Sequence, residues 1–437
     1  MTTRIYFYCL IVLGLAQHDV MAQTATPPDG TLTGYANSEL PHWLQLGGEI
    51  RERMETLEGV GFVDKDNTYL LERLRLNLNI LPLSWLKFVF QAQDSRVFFT
   101  DVSPAPTSQR DPMDLRMGYV QFGNSESGPV SLRAGRQSLD FGEGRVLADP
   151  QWSNVGRSFD AARLTLRHRN LKVDLFSGAS DKIYENAFAT PTPGEHFDGM
   201  YGSIDKVVPN STIEPYVFWK MEHNVKGELV KTGDLSEKTG GLRWVGKLPV
   251  GFDYGMESLL ERGTQAAEPI SAWATHLVLG NTLPNAQHLP RFFLEFNRGS
   301  GDQNPKDGTH NGFDALYPST HDKFGVTDLF AWTNLVHARA GFQYRLRQNL
   351  TLAVADNDYW LADRRDGLYG PTKELIVSNG REGSHVGQEP DLQGHWTMAR
   401  HTVADLTFGH IFPGDFLRNS KHGSAFNSVV VGVTQQF

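Results

Sequence analysis

The chain is poor in cysteine and in positive charge, and it has no long apolar run beyond its N-terminus. Cys9 is its only cysteine, so a chain that has lost its N-terminal segment contains neither disulfides nor thiolates. After Ala22 no apolar stretch is long enough to cross a bilayer as a helix. The formal net charge is -9, which argues against a nucleic-acid partner. These absences exclude a disulfide-stapled domain and a helical membrane protein.

The first 22 residues have the pattern of a secretory signal. Arg4 supplies a positive charge, residues 5–16 form a short apolar run, and Ala22 ends a small-residue cleavage pattern. The apolar run is too short for a membrane helix. No linker or change of composition divides the rest of the chain. We therefore expect a signal peptide over residues 1–22 and a single domain over residues 23–437.

Alternation of apolar and polar side chains is the main pattern of the remaining sequence. In residues 69–80, leucines and an isoleucine hold one parity while arginines and asparagines hold the other. The last nine residues also alternate, since Val429, Val431 and Val433 share their parity with the terminal Phe437. Successive side chains of a β-strand point to opposite faces. The pattern therefore predicts many strands, each with one apolar and one polar face.

Alternation by itself fits both a soluble β-sandwich and a transmembrane β-barrel, because either fold has one apolar face per strand. The secretory signal, the terminal Phe437 and the arginines on the polar parity favour the barrel. Short turns near Pro82 and Asn170 contrast with long polar segments such as residues 299–323. This contrast is typical of short periplasmic turns and long extracellular loops. At about ten residues per strand, the chain suits roughly 16 to 18 strands.

Several blocks of the sequence resemble the alginate export family of bacterial outer-membrane porins. They are residues 132–147 (LRAGRQSLDFGEGRVL), 151–166 (QWSNVGRSFDAARLTL), 299–334 and 412–416. The resemblance implies an all-β fold, namely a single antiparallel transmembrane barrel of 18 strands in the Gram-negative outer membrane. It also implies a monomer whose narrow cationic pore passes an anionic uronate polymer and is occluded by loops and a long turn.

Arginines on the polar parity are the candidate pore-lining cations. A polyuronate carries one carboxylate per sugar, and fixed cations lower the barrier to its passage. The guanidinium fork pairs with carboxylates and stays protonated. The candidates are Arg51, Arg53, Arg73, Arg75, Arg133, Arg136, Arg145, Arg157, Arg163, Arg243 and Arg339. The arginines could instead hold the barrel interior together by pairing with acids, of which the candidates are Glu49, Asp140, Glu143, Asp160, Glu257 and Glu295.

Two glycine-rich segments have open interpretations. In residues 140–145, Gly142 and Gly144 bracket an acid and precede an arginine, which predicts either a turn at the rim or an inward constriction. The resemblance favours the constriction. In the second segment, Asp302, Asn304 and Asp307 offer oxygen ligands for Ca²⁺. No glutamate closes a twelve-residue calcium loop there, and an Asx-rich surface loop is the alternative interpretation.

No motif of a hydrolase, zinc enzyme or nucleotide-binding protein occurs after residue 22. We therefore expect no enzymatic activity, no cofactor and no established metal site. The prediction is an outer-membrane channel for passive passage of an alginate-like polyuronate, with outer-membrane lipid and periplasmic secretion proteins as partners. The alternatives are an anion-selective uptake porin for small acidic solutes, a secreted β-rich enzyme acting on glycans, and an adhesin or scaffold.

Overall fold

The fold is a closed antiparallel β-barrel. The computed structural model describes residues 31–184, 187–378 and 383–437, and the expected signal peptide lies outside them. Within these residues, eighteen strands pair with their sequence neighbours, and the last strand pairs with the first. The predicted fold class and the strand number are therefore confirmed.

The elements of the barrel are named in chain order. The barrel strands are β1 Leu44–Glu58, β2 Asn67–Leu83, β3 Leu86–Phe98, β4 Asp111–Phe122, β5 Val130–Gln137, β6 Phe159–His168, β7 Leu171–Tyr184, β9 Glu195–Asp205, β10 Ser211–Val225, β11 Gly233–Lys247, β12 Phe252–Gln265, β13 Glu268–Thr282, β14 Arg291–Gly299, β15 Leu335–Arg347, β16 Leu350–Leu361, β19 His385–Ala399, β20 Thr402–Pro413 and β21 Phe426–Gln436. The remaining elements are α1 Leu32–Glu39, β8 Ala187–Pro191, β17 Leu368–Tyr369, β18 Leu375–Val377, α2 Asp415–Asn419, and the 3-10 turns Val60–Phe62 and Pro249–Gly251.

The two rims of the barrel differ in the length of their connections. The two-residue turns after β2, β6, β15 and β19 lie on the rim where β1 begins and β21 ends, whereas the two-residue turn after β12 lies on the opposite rim. The opposite rim carries the long connections 138–158, 300–334 and 362–384. Short turns mark the periplasmic rim of an outer-membrane barrel and long loops its extracellular rim. The expected contrast between the two rims is present.

The strands present apolar side chains outward and polar ones inward. On β2, Leu76 is 49% exposed, whereas Arg73 and Arg75 are each 3% exposed. On β21, Val431 is 47% exposed and its neighbour Val430 is 4% exposed. Hydrophobic residues that are exposed on the outside of a closed sheet form the surface that lipid covers.

Among the described residues, no helix has both the length and the apolar character needed to cross a bilayer.

Hydrogen bonds between Gly48 and Phe437 complete the seam of the barrel. The Gly48 nitrogen donates to the Phe437 oxygen at 2.8 Å, and the Phe437 nitrogen donates to the Gly48 oxygen at 3.0 Å. β1 continues past this point toward the periplasm, where it has no strand on the β21 side. There the Asn37 side chain of α1 donates to the Leu46 oxygen at 2.8 Å and accepts from the Leu46 nitrogen at 2.7 Å. This amide satisfies backbone groups that would otherwise lack a partner.

Part of the lumen is filled by the connection between β5 and β6. Phe141 of this connection packs against the inward-facing rings of Phe176 and Tyr201, with ring centroids 5.6 Å and 4.7 Å away. Phe197 and Phe218 continue the same buried aromatic cluster. Burial of these rings fixes the connection inside the barrel. The connection over residues 138–158 is called the inward loop below.

Candidate functional site

Four arginines face the lumen from two neighbouring strands. Arg51 and Arg53 belong to β1, and Arg73 and Arg75 belong to β2. Arg51 and Arg73 are direct register partners, and all four side chains are buried. The period of two places them on one face, as the sequence predicted. These four residues are called the arginine tier.

The arginine tier holds the inward loop through backbone carbonyls. Arg51 donates to the Gln151 and Ser153 oxygens at 2.9 Å and 3.0 Å. Arg53 donates to the Trp152 oxygen, and Arg75 reaches the Val155 oxygen at 3.3 Å. These contacts place residues 151–155 of the inward loop against β1 and β2.

Carboxylates neutralise only part of the charge of the arginine tier. Glu49 lies 2.6 Å from Arg73 and 3.5 Å from Arg75, and Glu55 lies 2.5 Å from Arg53. These contacts set two carboxylates against four guanidinium groups. Carbonyl oxygens carry only partial charge and cannot neutralise the remainder. The tier therefore keeps a positive field in a site shielded from solvent.

The glycine-rich part of the inward loop is held on the far wall by ion pairs. Arg145 lies 2.7 Å from Glu295 of β14, and Arg243 of β11 lies 3.1 Å from Glu143. Burial raises the pKa of the Glu143 carboxyl, but Arg145, His276 and Arg243 outweigh it and hold that pKa at about 2. These carboxylates and cations neutralise one another. Glu143, Arg145, Arg243 and Glu295 thus position the loop within the barrel.

Arg157 and Arg339 fasten the loops to one another and to the wall. Arg157 donates to the oxygens of Ala148, Tyr317 and Pro318 at 3.0, 2.7 and 3.1 Å. Burial lowers the pKa of this guanidinium. Arg339 of β15 lies 2.8 Å from Asp322. Both arginines therefore connect the wall or the inward loop to the connection between β14 and β15.

Two further candidate acids accept hydrogen bonds from protein groups. Asp140 accepts from the Asp149 nitrogen at 2.6 Å within the inward loop. Glu257 of β12 accepts from the Tyr216 hydroxyl at 2.6 Å through Oε1. Its Oε2 is buried without a hydrogen-bond partner in the described part of the chain.

Arg136 and Asp160, which are also among the candidate pore-lining residues, form an ion-pair cluster on the other face of their strands. Arg136 is three residues from Arg133, so the two side chains point to opposite faces of β5. Arg136 is the register partner of Asp160 and binds its two carboxylate oxygens at 3.0 Å each. It also lies 3.1 Å from Asp181. This cluster joins the strand ends around β8 and does not belong to the lumen wall of Arg133.

A cavity near the periplasmic rim is lined mainly by cations. It measures ≈ 350 Å³, and Arg133, Arg163, Arg167 and Lys172 contribute to its wall together with Glu126. Asp174 pairs with Arg163 and with Lys172, at 3.0 Å in each case. Four cations thus face two carboxylates. This space is called the basic cavity. Arg167 and Lys172 were not among the sequence candidates, although Arg167 continues the parity of Arg163.

Arg133 is a cation of the basic cavity that has no carboxylate partner in the described part of the chain. Its guanidinium donates to the Gln121 side-chain oxygen at 3.0 Å and lies 4.4 Å from the Tyr119 ring centroid. Within the described residues, no carboxylate lies within 4.0 Å of it. Arg133 and Arg163 are also register partners, and like charges in that arrangement repel. The pair is therefore suited to bind an anion.

The arginine tier lies between two cavities of the lumen. A periplasmic cavity of ≈ 520 Å³ is lined by residues 44–47 of β1 and by Asn77 and Asn79 of β2. An outer cavity of ≈ 500 Å³ is lined by Arg53, Glu55 and Leu57 of β1 and by Tyr69 and Leu71 of β2. Along both strands, Arg51, Arg73 and Arg75 fall between these two sets. The bound loop segment 151–155 therefore lies between the two cavities.

The calcium candidates form hydrogen-bonded turns. Asp302 accepts from the Asn304 nitrogen at 2.9 Å, and Asp307 accepts from the Thr309 nitrogen at 2.9 Å. These are Asx turns. Across the residues that the structure describes, no group of three histidine, cysteine or acidic side chains is placed to hold a metal ion.

The closed barrel, its apolar exterior and its charged, loop-filled lumen define an outer-membrane channel. Residues 42–431 match the alginate export family, and the chain belongs to that family. No curated protein matches the chain significantly in sequence.

Solved structures of similar fold include porins of Pseudomonas aeruginosa. OccK1 (OpdK) is 12% identical with a TM-score of 0.60, and the match covers 90% of this chain and 98% of OccK1. OpdL is 11% identical with a TM-score of 0.62, and the match covers 91% of this chain and 99% of OpdL. At these identities the likeness establishes the barrel fold.

Proposed function

We propose that this channel passes an anionic exopolysaccharide, an alginate-like polyuronate, passively out of the cell. The observation that carries the proposal is the basic cavity, in which Arg133 faces the lumen without a carboxylate partner. A fixed excess of cations at the periplasmic side concentrates anions at the entrance. A chain with one carboxylate per sugar is attracted more strongly than a neutral glycan or a cation.

The arginine tier supplies the second step of the proposed passage. Its guanidinium groups bind neutral carbonyls of residues 151–155. A carboxylate forms stronger, bidentate hydrogen bonds to arginine than a carbonyl does. The carboxylates of a polymer advancing from the periplasmic cavity would therefore replace the loop carbonyls as hydrogen-bond acceptors of the arginines. This replacement would release the loop. The exchange opens the lumen only while substrate occupies the tier.

A concentration gradient or a periplasmic partner protein would supply the driving force. Successive cation sites, each occupied in turn, allow a charged chain to move without a deep energy well. Loop displacement would also explain how a lumen that holds the inward loop at the tier admits a polymer. In this proposal the polymer is bound and released by side chains and backbone carbonyls of the channel.

Ion selectivity in a planar bilayer tests the cationic lumen. We expect an anion-selective reversal potential for the protein in a KCl gradient. The double variant Arg133→Gln/Arg167→Gln should shift the potential toward zero, because two lumen cations are lost. Arg96→Gln is the matched control, since Arg96 lies on the outer face of β3 and pairs with Asp94 at 2.7 Å. An unchanged potential in the double variant would refute the role of the cavity.

Polymer length separates export of a polysaccharide from uptake of small acids. Polyuronate of high molecular mass added on the periplasmic side should interrupt the current, whereas dextran of the same length should not. A single uronic acid or an aromatic carboxylate should change the current little. Block by small acids alone, with no effect of the polymer, would favour the uptake porin.

A further inference from the structure

Two cations occupy directly opposed positions on the outer surface of the barrel. Lys238 of β11 and Arg262 of β12 are register partners, and both side chains are exposed. Their neighbours Glu237 and Glu261 are buried on the inner face, so the two cations point outward. Like charges directly opposite each other destabilise a sheet. The pair therefore favours a bound anion.

Aromatic rings and a third cation extend this surface. The Lys238 amine lies 4.9 Å from the Trp219 ring centroid. Arg298 of β14 lies 5.3 Å from the ring centroid of Trp273. Arg262 donates only to the backbone oxygens of Glu261 and Ala272. Lys238, Arg262 and Arg298 are called the outer cation group, and no carboxylate of the described chain lies within 4.0 Å of their charged ends.

Lys238 and Arg262 of the outer cation group lie at the level of the outer leaflet surface. Lys238 is nine residues from the periplasmic end of β11 at Lys247, and Arg262 is ten residues from the start of β12 at Phe252. A tilted strand rises roughly 2.5 Å per residue along the barrel axis, so these cations lie about 25 Å from the periplasmic strand ends. This distance equals the height of the apolar band. Tryptophans at this level are typical of the membrane interface.

We propose that the outer cation group binds the phosphorylated glycolipid headgroup of the outer leaflet, the lipid A phosphates of lipopolysaccharide. A phosphate offers several strong acceptor oxygens, which suit the fork of Arg262 and the amine of Lys238. The apolar outer face of the same strands accommodates the acyl chains, as the 56% exposure of Leu260 beside Arg262 illustrates. The site is separate from the lumen, so its loss leaves ion selectivity unchanged.

The other side of the barrel provides a matched control. Arg96 of β3 also points outward and is half exposed, but it binds both oxygens of Asp94 at 2.7 Å and 2.9 Å. Its charge is already neutralised. Arg96→Gln therefore removes an outward arginine at a similar level without removing an anion site.

Binding of purified lipid A in detergent micelles tests the proposal. The triple variant Lys238→Gln/Arg262→Gln/Arg298→Gln should bind bisphosphorylated lipid A at least tenfold more weakly than the unchanged protein, since each cation near an anionic lipid adds to affinity. Arg96→Gln should bind as the unchanged protein does. Heat-modifiable migration in gels verifies that each barrel is folded, and Lys238→Gln alone replaces the triple variant if that variant does not fold.

Three comparisons identify the ligand. Dephosphorylated lipid A should lose the affinity, inorganic phosphate alone should not compete at millimolar concentration, and phosphatidylglycerol should bind more weakly. Equal binding by the triple variant, or equal binding of dephosphorylated lipid A, would overturn the proposal. Equal binding of phosphatidylglycerol would overturn the assignment to a glycolipid.

Discussion

Arg51 and Arg73 donate hydrogen bonds to the same two backbone oxygens, those of Gln151 and Ser153. The distances are 2.9 Å and 3.0 Å for Arg51, and 3.0 Å and 2.9 Å for Arg73. The two arginines are register partners on adjacent strands, so their like charges repel. Because both arginines donate to these two oxygens, the inward loop is bound where the two like charges face each other. The inward position of this loop segment therefore depends on a contact that an incoming anion can replace.

Replacing Arg51 and Arg73 by lysine separates charge from geometry in this contact. Lysine keeps the positive charge but lacks the fork that reaches two oxygens at once. We expect Arg51→Lys/Arg73→Lys to raise the channel conductance severalfold in planar bilayers while anion selectivity persists. Glutamine at both positions should raise conductance and also reduce selectivity. Conductance equal to that of the unchanged protein in both variants would show that the loop closes the lumen without this contact.

Alanine in place of Gly144 should weaken the inward loop. Gly144 has φ +73°, and a Cβ there would lie 2.8 Å from the Cβ of Ala148. The left-handed backbone costs roughly 1–2 kcal/mol for a residue with a side chain, and the contact adds to that cost. Gly61→Ala is the control, because Gly61 has φ +72° and a Cβ there would meet no atom within 4 Å. Thermal unfolding and loop proteolysis should both show the larger effect for Gly144→Ala; equal effects would exclude the contact as a cause.

Acid should release the glycine-rich part of the inward loop. The pKa of Glu143 is held at about 2 in the folded protein, below its ordinary value of 4.5. A depressed pKa stabilises the folded form fully above pH 4.5, and that contribution is lost as pH falls toward 2. Conductance recorded from pH 6 to pH 2.5 should rise in this window. In Glu143→Gln the rise should be absent or much smaller, and an identical pH profile would contradict the role of this carboxylate.

Arg157 is expected to be the most sensitive arginine for stability. Its side chain donates to the oxygens of Ala148, Tyr317 and Pro318. Arg157→Leu removes this donor from all three, although the Tyr317 oxygen still accepts from the Ala148 nitrogen at 2.9 Å. Each unsatisfied buried acceptor costs roughly 1–3 kcal/mol. The variant should unfold at a lower temperature by circular dichroism, whereas Arg133→Leu, which loses a bond to a side-chain amide, should change stability less. The reverse order would contradict the structural role of Arg157.

The parity of the sequence predicts the strands and their inward faces, and the secretory signal, the terminal Phe437 and the arginines favour a barrel over a sandwich. Arg51, Arg53, Arg73 and Arg75 lie on the face that alternation indicated. Their contacts with the inward loop are not predictable from local sequence, because they join residues 76 to 103 positions apart. Local spacing carries no information about such contacts. The contacts of the arginine tier with the inward loop are therefore visible only in the tertiary structure.

Arg136 shows where the parity was applied too loosely. A separation of three residues puts the side chains of Arg133 and Arg136 on opposite faces of a strand, so the two cannot share the polar parity. Arg167 shows the reverse error, since it shares the parity of Arg163 but lies next to the turn at Asn170. Strict use of the period of two would have excluded Arg136 and included Arg167.

The side chain of Asn37 imitates a neighbouring strand at the one place where β1 extends beyond β21. Without it, the peptide nitrogen and oxygen of Leu46 at the foot of the barrel would be open to an added strand from another molecule. This short helix thus protects the end of the seam from pairing with another chain.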